Sequence, residues 1–221
     1  FIGIMSNGTS GDINNIDALN KEQKRYAPYE KMREVANLAA QAVYDAHGKI
    51  EFHDWVPLGA AQEELTLAVR KPTEQQVAYA RSVLAKPEDA KPYHQHEKVY
   101  GSRVLQLQES PDEVAVILQT FRVGDLAICA IPFEVFVEIG LEIKAKSPFK
   151  QTFTISHANG SYGYLPTPAQ HKLGGYETWL GTNRVEFEAS TKIIRSLMSM
   201  SERLRAGVDA GESDAARTRA Q

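Results

Sequence analysis

The feature of this sequence that most constrains the fold is a pair of adjoining strand-like segments followed directly by a segment with helical spacing. Residues 113–124, EVAVILQTFRVG, and residues 125–132, DLAICAIP, are apolar enough to be strands and are joined by a Gly-Asp turn. From residue 134 the apolar positions recur at helical spacing as far as residue 147. Strands that lead directly into a helix predict an α/β fold, with a mixed, partly antiparallel sheet flanked by helices.

The rest of the chain supplies elements of both kinds. Helical spacing predicts helices over residues 26–47, 71–85 and 187–206, the second with Thr73 as its N-cap. Short apolar or alternating runs predict strands over residues 1–5, 50–58, 64–70, 103–108 and 151–159. The run 103–108 is expected to form a hairpin with the strand at 113–124, because turn residues separate them. Residues 86–102 and 160–181 are expected to be loops.

Composition and charge exclude several classes of function. The formal net charge of −3 predicts no nucleic-acid partner, because a net-acidic surface does not attract polyanions. The single cysteine, Cys129, excludes an intrachain disulfide and lies in an apolar run, so we predict a buried thiol. No apolar stretch approaches the roughly 20 residues of a membrane span.

A polar, glycine-rich stretch follows the first apolar run. Residues 6–15 read SNGTSGDINN, and Gly8 and Gly11 permit a backbone that points several N–H groups at one spot. Ser10 in such a loop can bind or attack a carbonyl while the N–H groups stabilise the oxyanion, and Asp12 and the asparagines of the stretch can orient it. The same residue types are also typical of an ordinary strand-to-loop turn, and spacing alone does not separate these readings.

A glutamate follows the strand at 125–132. Glu134 comes two residues after Pro132 and is predicted in the first turn of the helix at 134–147. This places a carboxylate at the C-terminal end of a strand, the edge at which open α/β sheets bind ligands. Glu134 is therefore either a metal ligand or base, or a glutamate that caps the helix.

A third stretch is rich in glycine, proline and aromatic residues. It reads HANGSYGYLPTPAQHKLGGYETW and contains Tyr162, Tyr164, Tyr176 and Trp179. These rings can wall an apolar ligand site, or they can pack the long loop onto its own domain. The separate motif His94-Gln95-His96 has the spacing of a metal pair on a strand, but its charged flanks favour a solvated loop.

The three stretches together resemble the neutral/alkaline non-lysosomal ceramidase family. The resemblance rests on S-G-D followed by N-N, on I-P-x-E, and on A-N-G-S-Y-G-Y-L-x-T with Y-E some ten residues later, in this order. It implies that residues 1–206 are the C-terminal portion of a ceramidase-like catalytic domain whose N-terminal part lies upstream, and that residues 207–221 are a flexible tail. It also implies hydrolysis of the amide of ceramide, an N-acyl sphingosine, to a fatty acid and a sphingoid base.

The resemblance also implies roles for individual residues. The family binds one zinc ion through two histidines, a glutamate and a tyrosine, and the last two match Glu134 and Tyr164. The active-site serine matches Ser10. The two zinc histidines are expected upstream of residue 1, so the chain on its own is expected to be inactive. We predict that four neighbours of these groups bind the substrate: Gly11, Asp12, Tyr162 and Tyr176.

Some positions depart from the family pattern and leave the substrate open. The chain has Ile13-Asn14-Asn15 where the family usually has V-S-P-N, Phe133 where it usually has glycine, and Ser161 where it often has tyrosine. One alternative is a zinc hydrolase of the same fold that acts on another amide or ester, and another is a non-catalytic binding domain. The family further implies a lipid-like substrate, peripheral contact with a membrane, and secretion or a periplasmic location.

Overall fold

The computed structural model describes residues 3–207, and within them lie six α-helices, six strands and one short 3-10 helix. The α-helices are α1 Glu30–His47, α2 Glu74–Leu84, α3 Glu97–Glu109, α4 Val137–Lys146, α5 Pro168–Leu173 and α6 Ala189–Ala206. The strands are β1 Leu58–Ala68, β2 Glu113–Val123, β3 Leu126–Ile131, β4 Glu134–Val135, β5 Gln151–Ser156 and β6 Tyr164–Leu165. The 3-10 helix is Tyr176–Thr178.

The described residues form two compact units. One unit consists of the chain up to Ile13 together with the chain from Pro57 onward, and the other is Asn14–Val56. The second unit contains α1, which lies wholly within the described residues and has no buried residue. The predicted tail falls almost entirely at residues 208–221, outside the described residues. No helix within residues 3–207 is both long and apolar enough to span a bilayer.

The first unit is built on a four-stranded sheet with the order β1-β2-β3-β5. The pairs β1–β2 and β2–β3 are antiparallel, whereas β3 and β5 are parallel and are connected through α4. The turn at Gly124-Asp125 joins β2 to β3, and Gly124 has φ 62°, a conformation that suits glycine. The predicted α/β class with a mixed, partly antiparallel sheet is therefore confirmed.

One face of this sheet carries the core. Alternate residues in the middle of β2 and in the first part of β3 are buried, as the period of two along a strand requires, and α4 and α6 supply the apolar side chains above them. Cys129 is fully buried in this layer, as predicted, and burial raises the pKa of its thiol to about 11. The fully buried side chains of the layer include Leu67, Leu118, Ile131, Ile139, Ile143, Ile193, Leu197 and Leu204.

The predicted hairpin between 103–108 and 113–124 is wrong. Residues 103–108 belong to α3, which packs against α2 at Gly101, beside Val83 and Leu84. The alternation in RVLQLQ was misleading, because a short apolar run is compatible with the two-residue period of a strand and also with the 3.6-residue period of a helix. The partner of β2 is instead β1, which pairs with it in register over its whole length from Leu58 to Ala68.

Four other expectations need correction. Residues 97–102, the end of the predicted loop at 86–102, lie in α3. Residues 3–5, the described part of the first predicted strand, are exposed and form no strand. Residues 50–57, which are all described, are largely exposed, and the strand there begins only at Leu58. The predicted loop at 160–181 contains β6, α5 and the 3-10 helix.

Removing the predicted N-cap of α2 should destabilise the first unit. The Thr73 hydroxyl accepts a hydrogen bond from the Gln76 N–H, and the Gln76 side chain accepts one from the Thr73 N–H, which completes a capping box. We expect Thr73→Ala to lower the free energy of unfolding by about 1 kcal/mol in urea titrations. Thr73→Ser, which keeps the hydroxyl, is the control, and an equal loss in both variants would contradict the capping role.

Candidate active site

Glu134 and Tyr164 lie directly opposite each other on two paired strands. The strands β4 and β6 are parallel, with Glu134 in register with Tyr164. The Glu134 N–H donates to the Gly163 carbonyl (2.9 Å), and the Phe136 N–H donates to the Leu165 carbonyl (3.3 Å). Side chains at such a position lie about 5 Å apart at their bases. Two residues that are 30 positions apart in the sequence are therefore neighbours.

The position of Glu134 differs from the sequence prediction. It lies in β4 and not in the first turn of a helix, because α4 begins only at Val137. The N–H groups of residues 134 and 136 donate to the β6 segment, which keeps the main chain extended after Pro132. Glu134 therefore does not cap α4, and its half-buried carboxylate is directed by the strand.

The Tyr164 hydroxyl meets two polar partners. It lies 3.0 Å from the Tyr176 hydroxyl, which belongs to the 3-10 helix, and it lies near enough to the Glu134 carboxylate to be influenced by its charge. Burial raises the pKa of the Tyr164 phenol well above its usual range, and the contacts with Tyr176 and Glu134 raise it further. The three side chains thus form one connected polar cluster around Tyr164.

The loop that contains Ser10 is attached to the same strand. The Gly11 N–H donates to the Val135 carbonyl (2.8 Å). A Cβ atom at position 11 would lie 2.9 Å from the main-chain oxygen of Glu134, so only glycine allows this approach. The Asp12 carboxylate accepts a hydrogen bond from the Val137 N–H (2.9 Å), at the first residue of α4. The loop therefore contacts both β4 and the start of the following helix.

Ser10 is half-buried and is held by an asparagine. Its hydroxyl lies 3.2 and 3.4 Å from the two side-chain polar atoms of Asn7. The Asn7 carbonyl in turn accepts a hydrogen bond from the Ser156 N–H (2.9 Å), at the end of β5. Of the side chains expected to orient Ser10, the asparagine Asn7 contacts its hydroxyl, whereas the Asp12 carboxylate caps α4.

The aromatic residues of the third stretch divide between two roles. The Tyr162 ring packs on Phe133 with 5.6 Å between centroids and belongs to the rim of the core. Tyr176 is exposed and contributes its hydroxyl to the cluster around Tyr164. Tyr162 therefore packs the loop onto its own domain, and Tyr176 is the ring that faces solvent beside Tyr164.

The structure adds two residues that sequence reasoning missed. The fully buried Asn183 amide donates to the Tyr164 carbonyl (3.0 Å) and accepts a hydrogen bond from Arg70 (2.8 Å). Neither residue belongs to a recognisable motif, and Arg70 precedes Asn183 by 113 positions. The sequence contains only a weak indication of their role, the turn-like Gly-Thr-Asn at 181–183.

Glu134 and Tyr164 are the residues that could hold a metal ion. A carboxylate and a phenol side by side supply two oxygen donors, which is half of a four-coordinate zinc site. Within residues 3–207 no three His, Cys, Asp or Glu side chains are grouped as a metal site. His94 and His96 are exposed at the start of α3, with 5.6 Å between their rings.

Comparison with known proteins supports a relationship in fold. The structure matches neutral ceramidase from Pseudomonas aeruginosa with a TM-score of 0.61 at 14% sequence identity, over 91% of this chain and 37% of that chain. A ceramidase complexed with C2 gives a TM-score of 0.55 at 13% identity, over 84% and 36% of the two chains. The chain has the fold of part of neutral ceramidase. No protein-family model and no curated protein sequence matches it.

The resemblance inferred from the three sequence stretches is thus confirmed at the level of fold. The chain spans little more than a third of the length of the two ceramidase structures. At this level of identity the comparison establishes the architecture, and the activity has to be argued from the site itself.

The close approach of the Ser10 loop to β4 leads to a prediction at position 11. We expect Gly11→Ala to destabilise the first unit by about 1–3 kcal/mol, because the added methyl must displace main-chain atoms. Faster hydrogen exchange at the Val137 amide, measured by NMR, would report release of the Asp12 cap. Gly8→Ala is the matched control, because a Cβ atom there meets nothing within 4 Å. Equal effects of the two variants would contradict the contact.

His171 should make stability depend on pH. Burial, together with a smaller effect of the Arg70 charge, lowers the pKa of its imidazole from 6.5 to about 4. The unfolded chain therefore takes up a proton on this residue between about pH 6.5 and 4 that the folded chain does not. Stability from this group is complete above pH 6.5 and is lost as the pH falls toward 4.

Thermal unfolding of His171→Gln should consequently show a shallower loss of the melting temperature across this pH interval than the parent chain. His53→Gln, at an exposed histidine, controls for the loss of an imidazole as such. An unchanged pH slope in His171→Gln would show that this histidine does not control the acid sensitivity.

Proposed function

We propose that this chain is part of a zinc-dependent amidohydrolase that cleaves the N-acyl amide of ceramide-type sphingolipids. The observation that carries the proposal is the convergence of three remote segments on β4. Glu134 lies on this strand, Tyr164 is in register with it, and the residue after Ser10 donates a hydrogen bond to it. The fold of part of neutral ceramidase supports the same assignment.

The donor set fits part of a zinc site. We propose that Glu134 and Tyr164 hold the ion and that two histidines from outside this chain complete the set. Bound zinc would supply Lewis acidity, which polarises the scissile carbonyl and activates water for attack. A lone oxygen pair binds a divalent cation weakly, so we expect the isolated chain to bind zinc poorly and to be inactive.

The residues of the chain have distinct tasks in this proposal. In this proposal Ser10, which is held by Asn7, donates a hydrogen bond to the developing oxyanion or to the leaving amine. The Gly11 N–H cannot serve as a second donor, because it is already bonded to the Val135 carbonyl. Gly11 and Asp12 therefore support Ser10 through β4 and α4 and are not free to bind substrate through these groups.

The substrate in this proposal is lipid-like. The exposed ring of Tyr176 beside Tyr164 offers an apolar surface at the mouth of the site. We propose peripheral contact with a membrane, since acyl amides with two long chains reside there, and secretion or a periplasmic location. Hydrolysis of a different amide or ester by the same site is the second candidate, and a substrate panel separates the two.

Single substitutions in a longer protein that includes the upstream part of the domain test the mechanism. We expect Glu134→Gln and Tyr164→Phe each to weaken zinc binding and N-acylsphingosine hydrolysis by about 100-fold or more, since loss of an outer-shell partner alone costs about 10- to 100-fold. Zinc content by elemental analysis and fatty-acid release are the two measurements.

Matched controls exist for both substitutions. Glu138→Gln removes an exposed carboxylate four positions away, and Tyr93→Phe removes an exposed phenol. Full zinc content and full activity in Glu134→Gln and Tyr164→Phe would refute the proposed ligands. Zinc binding without hydrolysis of any amide or ester would favour a non-catalytic binding domain.

A further inference from the structure

Arg70 is a partly enclosed cation whose hydrogen-bond partners among the described residues are all uncharged. It lies just after β1 and is half-buried. One terminal nitrogen, Nη1, donates to the main-chain oxygen of Thr178 and to the side-chain oxygen of Asn183, both at 2.8 Å. Within residues 3–207 no carboxylate forms an ion pair with this guanidinium. Burial of a charge without an opposite charge is unfavourable, so its presence calls for an explanation.

The surroundings of the guanidinium hold it in place. It lies over the Phe187 ring, 4.8 Å from the centroid, in a cation–π arrangement. The His171 ring contacts the same phenylalanine, with 4.5 Å between centroids. The Arg70 N–H also donates to the Arg184 carbonyl (2.9 Å), so the backbone of the residue is anchored beside Asn183. A planar guanidinium that is fixed on a ring has little freedom to turn away from its acceptors.

The two groups that accept hydrogen bonds from Arg70 are each connected to one of the tyrosines of the candidate site. The Asn183 amide donates to the main-chain oxygen of Tyr164 (3.0 Å). Thr178 is the last residue of the 3-10 helix that Tyr176 begins. One nitrogen of Arg70 therefore joins the segment that carries Tyr164 to the segment that carries Tyr176, whose hydroxyls lie 3.0 Å apart.

We propose that Arg70, acting through Asn183, is a positioning residue that sets the distance between the Tyr164 and Tyr176 hydroxyls. Its role in catalysis rests on the function proposed above, but the arrangement exists in the chain without zinc or substrate. Asn183 relays the contact because its oxygen accepts from Arg70 while its nitrogen donates to Tyr164. An aspartate at this position would keep the first contact and lose the second.

The test uses this chain with 3-fluorotyrosine at its nine tyrosines and follows them by ¹⁹F NMR. Tyr164→Phe and Tyr176→Phe assign the two signals. We expect Arg70→Lys and Asn183→Asp to shift or split both signals while the other tyrosine signals stay in place. Thermal unfolding of each variant verifies that it remains folded. If Arg70→Lys does not fold, Asn183→Asp alone still tests the proposal.

Arg122 provides the matched control. It is also a partly buried arginine that donates to main-chain carbonyls, those of Gly124 and Leu204, and its guanidinium faces the Phe149 ring. We expect Arg122→Lys to reduce stability without moving the Tyr164 or Tyr176 signal. The proposal is overturned if both signals stay unchanged in folded Arg70→Lys and Asn183→Asp, or if Arg122→Lys moves them equally.

Kinetics of the longer protein separate this inference from the proposed function. We expect Arg70→Lys to lower kcat by about 10- to 100-fold with little change in KM, as misplacement of a reacting group does. Unchanged kcat despite moved tyrosine signals would overturn the link to catalysis. If the parent protein hydrolyses no amide, the proposed function fails, and the NMR result still decides the positioning role.

Discussion

The parallel pairing of β4 with β6 is the constraint on which the candidate site depends. Each strand has only two residues, and such a short ladder is not stable alone. Its register is set by burial, because Val135 and Leu165 are both fully buried. Since side chains alternate along a strand, their neighbours Glu134 and Tyr164 must both face the opposite side. A slip by one residue would bury the carboxylate and expose the core, which fixes the pair as observed.

Sequence reasoning succeeded where a pattern is local. Thr73 caps α2 because threonine and the glutamine three residues later recognise each other within one turn, and this signal lies in four consecutive residues. The strands β2 and β3 and the glycine turn between them are equally local. The order of the serine, glutamate and tyrosine stretches also indicated the correct fold, because their spacing carried more information than any one of them.

Sequence reasoning failed where the conformation or the role of a residue depends on a partner that is remote in the sequence. Residues 103–108 form part of α3 because α2 offers a surface for a helix, and Glu134 extends into β4 because the β6 segment accepts its hydrogen bonds. Neither partner is visible within a short window of sequence. Arg70 and Asn183 are extreme cases, since they are 113 positions apart and belong to no motif. Asp12 was assigned to Ser10 by proximity in sequence, although it is bonded to α4.

One short strand therefore orients three groups that come from distant parts of the chain. Glu134 is on β4, Tyr164 reaches it through strand pairing, and the Ser10 loop reaches it through the Gly11 N–H and the Asp12 cap. A displacement of β4 would carry the carboxylate, the phenol and the serine loop together, so their relative geometry survives small movements of the surrounding sheet. The Tyr176 hydroxyl is not on this strand. The 3-10 helix that carries it is tied to the Tyr164 segment by the backbone bonds of Trp179 with Thr182 and Asn183, and the Arg70 guanidinium adds a side-chain connection through the Thr178 carbonyl.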